Sequence, residues 1–156
     1  MATGQTRIVS TGQYHVTSVA WSPDGSRFLL TITDHANLDY EWTRARLAVL
    51  PVKGGAPEVY CATRGKLARP GWIPDGSGIS FLGASANGTE QAPSSLFVCS
   101  GAGSAPVNLT QGQRYSAQGY RWLPDSRSLV LTIVEGIILF FLVPLYWPLI
   151  GLSWTN

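Results

Sequence analysis

The residues able to perform nucleophilic or acid–base chemistry are few and scattered. The chain has two histidines, His15 and His35, and no serine in the Gly-x-Ser-x-Gly elbow by which many hydrolases expose a nucleophile. The nearest approach, Gly83-Ala-Ser85-Ala-Asn87, lacks the final glycine. His15 leads into a predicted strand and His35 begins a polar loop, positions where a surface or hydrogen-bonded histidine is the usual finding. We therefore expect no catalytic residue and no enzyme activity in the chain as it stands.

Three aspartates, Asp24, Asp75 and Asp125, recur at the same place in a repeated motif, each directly after a proline. A calcium loop needs several acidic oxygens close together in sequence, which this spacing does not provide. Proline presets φ for a turn, and an aspartate side chain can bond to the backbone two residues further on. We expect hairpin-turn residues here rather than metal ligands, and we expect no cofactor.

Cys61 and Cys99 belong to neither a Cys-x-x-Cys pair nor a Cys/His cluster, so the sequence predicts no zinc site. Each cysteine lies in an apolar run typical of a strand. We expect free buried thiols, with a disulfide between the two as the open alternative.

The composition excludes some partners. Of the residues, 45% are apolar and 13% charged, the net charge is +2, and no run of lysine or arginine is present, so nucleic acid is not an expected partner. The acidic and aromatic loop at 34–43, with Asp34, Asp39, Tyr40, Glu41 and Trp42, is expected to be solvated, although it could line a pore or touch a partner. Met1 to Ser10 contains no secretory signal, which favours a cytoplasmic location.

The elements that position these residues follow from a repeat. Trp21-Ser-Pro-Asp-Gly returns as Trp72-Ile-Pro-Asp-Gly and as Trp122-Leu-Pro-Asp-Ser, with the tryptophans 51 and 50 residues apart. One aromatic turn signature per unit of this length favours a β-propeller. The three tryptophans are then expected to pack each blade on the next, rather than to stack ligands.

We predict an all-β, incomplete propeller in residues 1–135, with blades at 18–63, 69–111 and 119–135. The first two units each contain four apolar runs separated by turn signals, which matches the strand number of a propeller blade. The third unit has only its beginning. Arg7 to Gly12 resembles the segment 107–112 that precedes the third tryptophan, and is predicted to be an outer strand without a blade of its own.

Residues 136–156 differ in kind, because no charged residue follows Glu135 and 137–152 is almost wholly apolar. Three interpretations remain open. In the first, the tail is a membrane segment. This interpretation is not favoured, because the apolar stretch is short, contains Pro144 and Pro148 and lacks flanking basic residues. Alternatively it forms genuine propeller strands, or it departs from the family sequence near Gly136 through a shifted frame or gene end.

The turn and the strand after it, Trp21-Ser-Pro-Asp-Gly-Ser-Arg-Phe28, resemble the WD-like repeats of TolB-type propellers. With the polar insertion and the run Leu47-Ala-Val-Leu-Pro-Val-Lys-Gly-Gly-Ala-Pro-Glu58, they are equally similar to the N-terminal propeller of the prolyl oligopeptidase family, especially its acylaminoacyl-peptidase-like branch. The resemblance covers about residues 6–134, and Ser126 departs from it where glycine is expected.

This resemblance implies a non-catalytic fragment of a substrate-gating propeller, whose partner would be a C-terminal α/β-hydrolase domain outside this sequence. The alternatives are a TolB-like propeller that binds another protein, and a repeat protein tethered to a membrane through its apolar tail. No catalytic residue can be transferred from the peptidase family to this chain.

Overall fold

The computed structural model describes residues 4, 6–34, 45–61, 63, 67–84 and 93–134, and the backbone of 141–144. In these residues the chain forms eleven β-strands. They are β1 (His15–Trp21), β2 (Arg27–Thr33), β3 (Arg46–Pro51), β4 (Glu58–Cys61), β5 (Leu67–Trp72), β6 (Ile79–Gly83), β7 (Ser95–Cys99), β8 (Val107–Asn108), β9 (Ser116–Trp122), β10 (Ser128–Val134) and β11 (Phe141–Pro144).

The strands form three antiparallel sheets, which we call blades 1, 2 and 3. Blade 1 has the order β1-β2-β3-β4, blade 2 has β5-β6-β7-β8, and blade 3 has β11-β10-β9. Strands that follow each other in the chain are neighbours in every sheet, as is usual for consecutive antiparallel strands. The predicted all-β fold, an incomplete propeller of two four-stranded blades and part of a third, is confirmed.

The repeated motif forms the first hairpin of each blade. In blade 1, the amide of Gly25 donates to the carbonyl of Ser22 at 2.9 Å, and Gly25 has a φ of 68°. In blade 3 the equivalent residue is Ser126, with a φ of 56°. A left-handed conformation costs a non-glycine residue roughly 1 kcal/mol. The turn geometry therefore persists where the sequence departs from glycine.

The blades pack face to face through apolar side chains. A cluster between blades 1 and 2 is built around Leu29, Leu47, Tyr60, Trp72, Ile79 and Phe81. A second cluster, between blades 2 and 3, contains Leu82, Leu96, Ala117, Leu129, Leu131 and Ile133. Alternate residues of β6 serve both clusters, since Phe81 faces blade 1 and Leu82 faces blade 3. This explains why the run has no polar alternation: the strand is buried on both sides.

The expectation of free thiols is wrong, because Cys61 and Cys99 form a disulfide. Cys61 ends the fourth strand of blade 1, and Cys99 ends the third strand of blade 2. Their Cα atoms are 6.2 Å apart, which is within the range that a disulfide spans. The sequence shows two separate strand ends, whereas the stacking of blades brings those ends together.

The N-terminal segment lies along blade 1 rather than forming a full strand. Ser10 makes one isolated parallel bridge with Gly55, whose amide donates to the carbonyl of Val9 at 3.2 Å. Val9 and Tyr14 pack against a third cluster, which contains Leu30, Ile32, Ala48 and Leu50. The segment thus contributes to covering the face of blade 1 that points away from blade 2.

Four residues of the apolar tail, 141–144, pair with β10, with Leu131 opposite Phe141 and Ser128 opposite Pro144. This pairing is what the propeller-strand interpretation predicts for these residues, and the rest of 136–156 lies outside the described residues. No helix in the described ranges is long and apolar enough to cross a membrane.

Candidate functional site

The two blade junctions can be compared position by position, because the same repeat motif contributes to each. Aligning the repeats on their tryptophans makes Arg27, Gly78 and Ser128 equivalent, each six residues after the tryptophan. Two residues later, Leu29, Ser80 and Val130 are equivalent. Because Trp72 and Trp122 pack on the preceding blade, these positions decide what surrounds the indole of the following repeat.

At the junction of blades 1 and 2, a cation covers the indole of Trp72. The guanidinium carbon of Arg27 lies 4.8 Å from the ring centroid of Trp72, a cation–π distance. Tyr60 meets the same indole edge to face, with ring centroids 5.7 Å apart. Asp24, on the same hairpin as Arg27, interacts electrostatically with it. An arginine from blade 1 thus lies over an aromatic ring of the next blade, and the charge of Asp24 acts on it without an ion pair in the described residues.

Trp72 is buried, with 9% of its surface exposed, and its Nε1–H has no hydrogen-bond partner among the described residues. The preceding blade presents Leu29 at the position that carries Ser80 in blade 2. Leucine cannot accept a hydrogen bond, so the first junction combines cation–π and apolar packing with one unpaired indole N–H.

The junction of blades 2 and 3 contains a chain of hydrogen bonds instead. Trp122 Nε1 donates to Ser80 Oγ at 2.8 Å, and Ser80 Oγ lies 3.0 Å from the hydroxyl of Tyr120. The Tyr120 hydroxyl in turn lies 2.7 Å from the carbonyl oxygen of Arg69 and 2.7 Å from that of Ser80. Burial raises the pKa of Tyr120 to about 12, against the weaker opposing effects of the Ser80 hydrogen bond and the charge of Arg69. The phenol therefore stays protonated and can donate.

Next to the second junction lies a cleft, which we call the interblade cleft. Its volume is about 340 Å³, within the range of small ligand pockets. Arg27 has no counterpart here, because glycine occupies the equivalent position 78, where a Cβ would collide with the carbonyl oxygen of Cys99. The cleft is lined by Ile73, Asp75, Ser77, Val98, Ser100, Leu109, Trp122, Ser126 and Arg127.

The walls of the interblade cleft are mostly apolar and its mouth is charged. Ile73 and Val98 are buried, and Leu109 and Trp122 are half-buried, so these side chains form a hydrophobic floor. Asp75 is exposed at the rim. Hydrogen bonds from the side chain and the backbone of Ser77 lower the pKa of Asp75, which keeps the carboxylate ionised at neutral pH. An apolar cleft with a few placed polar groups is typical of a binding site.

The three repeated aspartates have the predicted role in the hairpin turns. Asp24 accepts hydrogen bonds from the hydroxyls of Ser22 and Ser26, each at 2.6 Å. Asp75 accepts from the amide of Ser77 at 2.9 Å. Asp125 accepts hydrogen bonds from two backbone amides, those of residues 127 and 128, at 3.0 and 2.9 Å. Hydrogen bonding lowers the pKa of all three carboxyls. Asp75 also lines the interblade cleft.

A second cleft of about 350 Å³ lies along the inner strands β5 and β9. Two basic residues, Arg69 and Arg121, line it together with Gln118 and Tyr120. Arg69 has a φ of 50°, at a bulge in the pairing of β5 with β6. Its carbonyl oxygen accepts a hydrogen bond from the Tyr120 hydroxyl. The strained backbone at Arg69 is therefore part of the hydrogen-bond chain of the second junction.

Other residues singled out by sequence are dispersed. His15 is exposed at the start of β1, and Asp34 pairs with Arg46. His35, Ser85 and residues 39–42 lie outside the described residues. The expected packing role of the tryptophans holds for Trp72 and Trp122, but it is wrong for Trp21. That indole is 61% exposed and contacts Phe28 of its own blade at 4.4 Å between ring centroids, so its ring packs within blade 1.

Sequence reasoning missed Gly78, Ser80, Tyr120 and Arg127, which shape the second junction and its cleft. A signal for two of them was present: alignment on the tryptophans places Gly78 opposite Arg27, and Ser80 opposite Leu29. Their consequences become visible only when adjacent blades are stacked.

No family model matches the sequence, and no curated protein matches it. Among solved structures, the chain is similar to a protein from Agrobacterium tumefaciens assigned as a TolB, with 16% sequence identity and a TM-score of 0.39. The similarity covers 81% of this chain and 58% of that one, so the chain spans little more than half the length of this neighbour. At such identity the likeness concerns the fold alone, and the propeller architecture rests on the strand pairing described above.

Proposed function

We propose that this chain is a non-catalytic propeller module that binds a peptide segment of a partner protein in the interblade cleft. The observation that carries the proposal is the cleft beside Trp122, where an apolar floor lies below the charged residues Asp75 and Arg127. Hydrophobic pockets with a few polar groups at their mouth suit side chains of a docked peptide.

The size of the cleft supports a peptide over a large protein surface. A volume of about 340 Å³ accommodates one or two side chains, with the rest of the ligand on the exposed rim around Ser77 and Ser100. Half-buried tryptophan is also a residue type enriched where proteins bind each other. The gating role in a prolyl-oligopeptidase-like enzyme, and membrane tethering through 137–152, stay predictions from sequence.

A selection from a random peptide library displayed on phage tests the proposal. Enriched peptides are then titrated against Ser100→Trp, which puts a bulky ring at the mouth of the interblade cleft, and against Gln118→Trp, which does the same at the second cleft. Both positions are exposed, so both variants should fold. We expect at least about tenfold weaker binding to Ser100→Trp, a loss of one well-packed side-chain contact, and unchanged binding to Gln118→Trp.

Two outcomes would overturn the proposal. Failure to enrich any peptide removes the binding function. Peptides that bind Ser100→Trp normally but lose affinity for Gln118→Trp would place the site at the inner strands instead.

A further inference from the structure

The first junction holds an arginine over its tryptophan, whereas the second has the tryptophan and the repeated aspartate but no arginine. In the first, the guanidinium of Arg27 lies over the indole of Trp72, and the charge of Asp24 acts on it without forming an ion pair in the described residues. In the second, Asp75 and Trp122 occupy the equivalent repeat positions and both line the interblade cleft. Gly78 supplies no side chain between them. The first junction thus shows which chemical group the tryptophan of this repeat can hold.

We propose that the interblade cleft recognises an arginine side chain of the bound partner, whose guanidinium takes the place that Arg27 occupies at the first junction. This inference rests on the proposed function and names the residue type that the docked peptide contributes. A planar guanidinium can stack on an indole while its N–H groups reach a carboxylate, which a neutral side chain cannot do. The aliphatic part of arginine would lie on the apolar floor formed by Ile73, Val98 and Leu109.

Arg127 is the one residue of the lining whose charge opposes this ligand. The equivalent positions are occupied by Ser26 in blade 1 and Ser77 in blade 2, so serine is compatible with this turn. The side chain is exposed, and Arg127 forms no ion pair with Asp75 within the described ranges. Its repulsion on the ligand is therefore screened by solvent, and Arg127→Ser should remove it without disturbing the turn, which uses the backbone amide.

The test compares N-acetyl-arginine methylamide with N-acetyl-citrulline methylamide, which has nearly the same shape but no charge. The full chain is titrated with each, and binding is followed through the indole Nε1–H resonance of Trp122, assigned by its loss in Trp122→Phe. We expect saturable shifts with the arginine compound and about fivefold or more weaker binding of the citrulline compound, from the lost cation–π and ionic contacts.

Two variants separate this site from a general charge effect. Asp75→Asn keeps an oxygen that can accept the turn amide of Ser77 but removes the charge, and should weaken arginine binding. The matched control, Asp125→Asn, makes the same change in a hairpin whose aspartate does not line the cleft, and should leave binding unchanged. Arg127→Ser should tighten binding.

Equal affinity for arginine and citrulline, or equal losses in the two asparagine variants, would overturn the inference. If library peptides still bind at the cleft in that case, the proposed function stands and only the arginine specificity falls. If the arginine compound binds as expected while no peptide can be selected, the cation site stands and the peptide-binding function falls.

Discussion

The two blade junctions use the same repeat position in different ways. Trp72 is covered by Arg27 and leaves its N–H unpaired, whereas Trp122 is held by Ser80 and has a cleft beside it. The first junction also carries the disulfide between Cys61 and Cys99. The comparison shows that a repeat can preserve its tryptophan while two nearby positions change the junction from cation–π and apolar packing to a hydrogen-bonded contact with a cleft beside it.

Removing the disulfide is expected to have the largest effect and to weaken only the first junction. The double variant Cys61→Ser/Cys99→Ser should lower the free energy of unfolding by about 4 kcal/mol, the chain-entropy value for a sequence separation of 38 residues. Urea unfolding without reductant measures the loss. Reductant added to the unmodified chain should give a similar loss and should not affect the double variant. Equal stability of the two proteins would contradict the structural role of the crosslink.

Ser80→Ala makes the second junction resemble the first, because the indole N–H of Trp122 and the hydroxyl of Tyr120 lose their shared partner. We expect a loss of about 1–3 kcal/mol in unfolding free energy, the cost of leaving the indole N–H unpaired, since the Tyr120 hydroxyl keeps the carbonyl oxygens of Arg69 and Ser80 as partners. Urea unfolding again provides the measurement. Ser100→Ala in the same blade removes an exposed hydroxyl and serves as the control, with a change within about 0.5 kcal/mol.

Alkaline pH should affect the second junction through Tyr120. Its pKa in the folded chain is raised from 10.0 to about 12, so the native state holds a proton that the unfolded state has already lost between these values. The stabilisation is complete below pH 10 and falls as pH rises towards 12, by about 2 kcal/mol. Unfolding measured from pH 9 to 12 should show this decline. Tyr120→Phe should show a shallower decline over the same range, and an identical slope would refute the assignment.

The cation over Trp72 should contribute least. Arg27→Gln keeps most of the side-chain length but removes the charge, and should lower the unfolding free energy by about 0.5–1 kcal/mol. Arg127→Gln is the matched change at an exposed arginine of the second junction and should be near neutral. Thermal melts of both variants provide the measurement. Equal shifts in melting temperature would mean that the contact between Arg27 and Trp72 adds no stability beyond that of an exposed arginine.

Most of the strand pattern could be predicted from sequence. The apolar runs of the sequence at 95–99 and 128–134, which turn residues flank, coincide with β7 and β10. The N-terminal segment is less regular than predicted, because in the described residues its backbone pairs with blade 1 at a single isolated bridge, between Ser10 and Gly55.

The contents of the junctions could be predicted only in part. The repeat motif predicts that a tryptophan meets the preceding blade, but not which atoms it meets. Three features depend on contacts between blades. The disulfide and the hydrogen bond from Trp122 to Ser80 each join residues more than 35 positions apart, and the interblade cleft is lined by residues of two blades. Such contacts depend on the twist and spacing of stacked sheets, which strand periodicity does not encode.

The crosslink near the outer strands has a mechanical consequence. It joins β4 of the first blade to β7 of the second, so these two sheets cannot separate at that side without breaking a covalent bond. The second and third blades have no such tie in the described residues. We therefore expect relative motion between blades to be larger at the junction beside Trp122 than at the crosslinked junction, and a small rotation of blade 3 would widen the entrance of the interblade cleft.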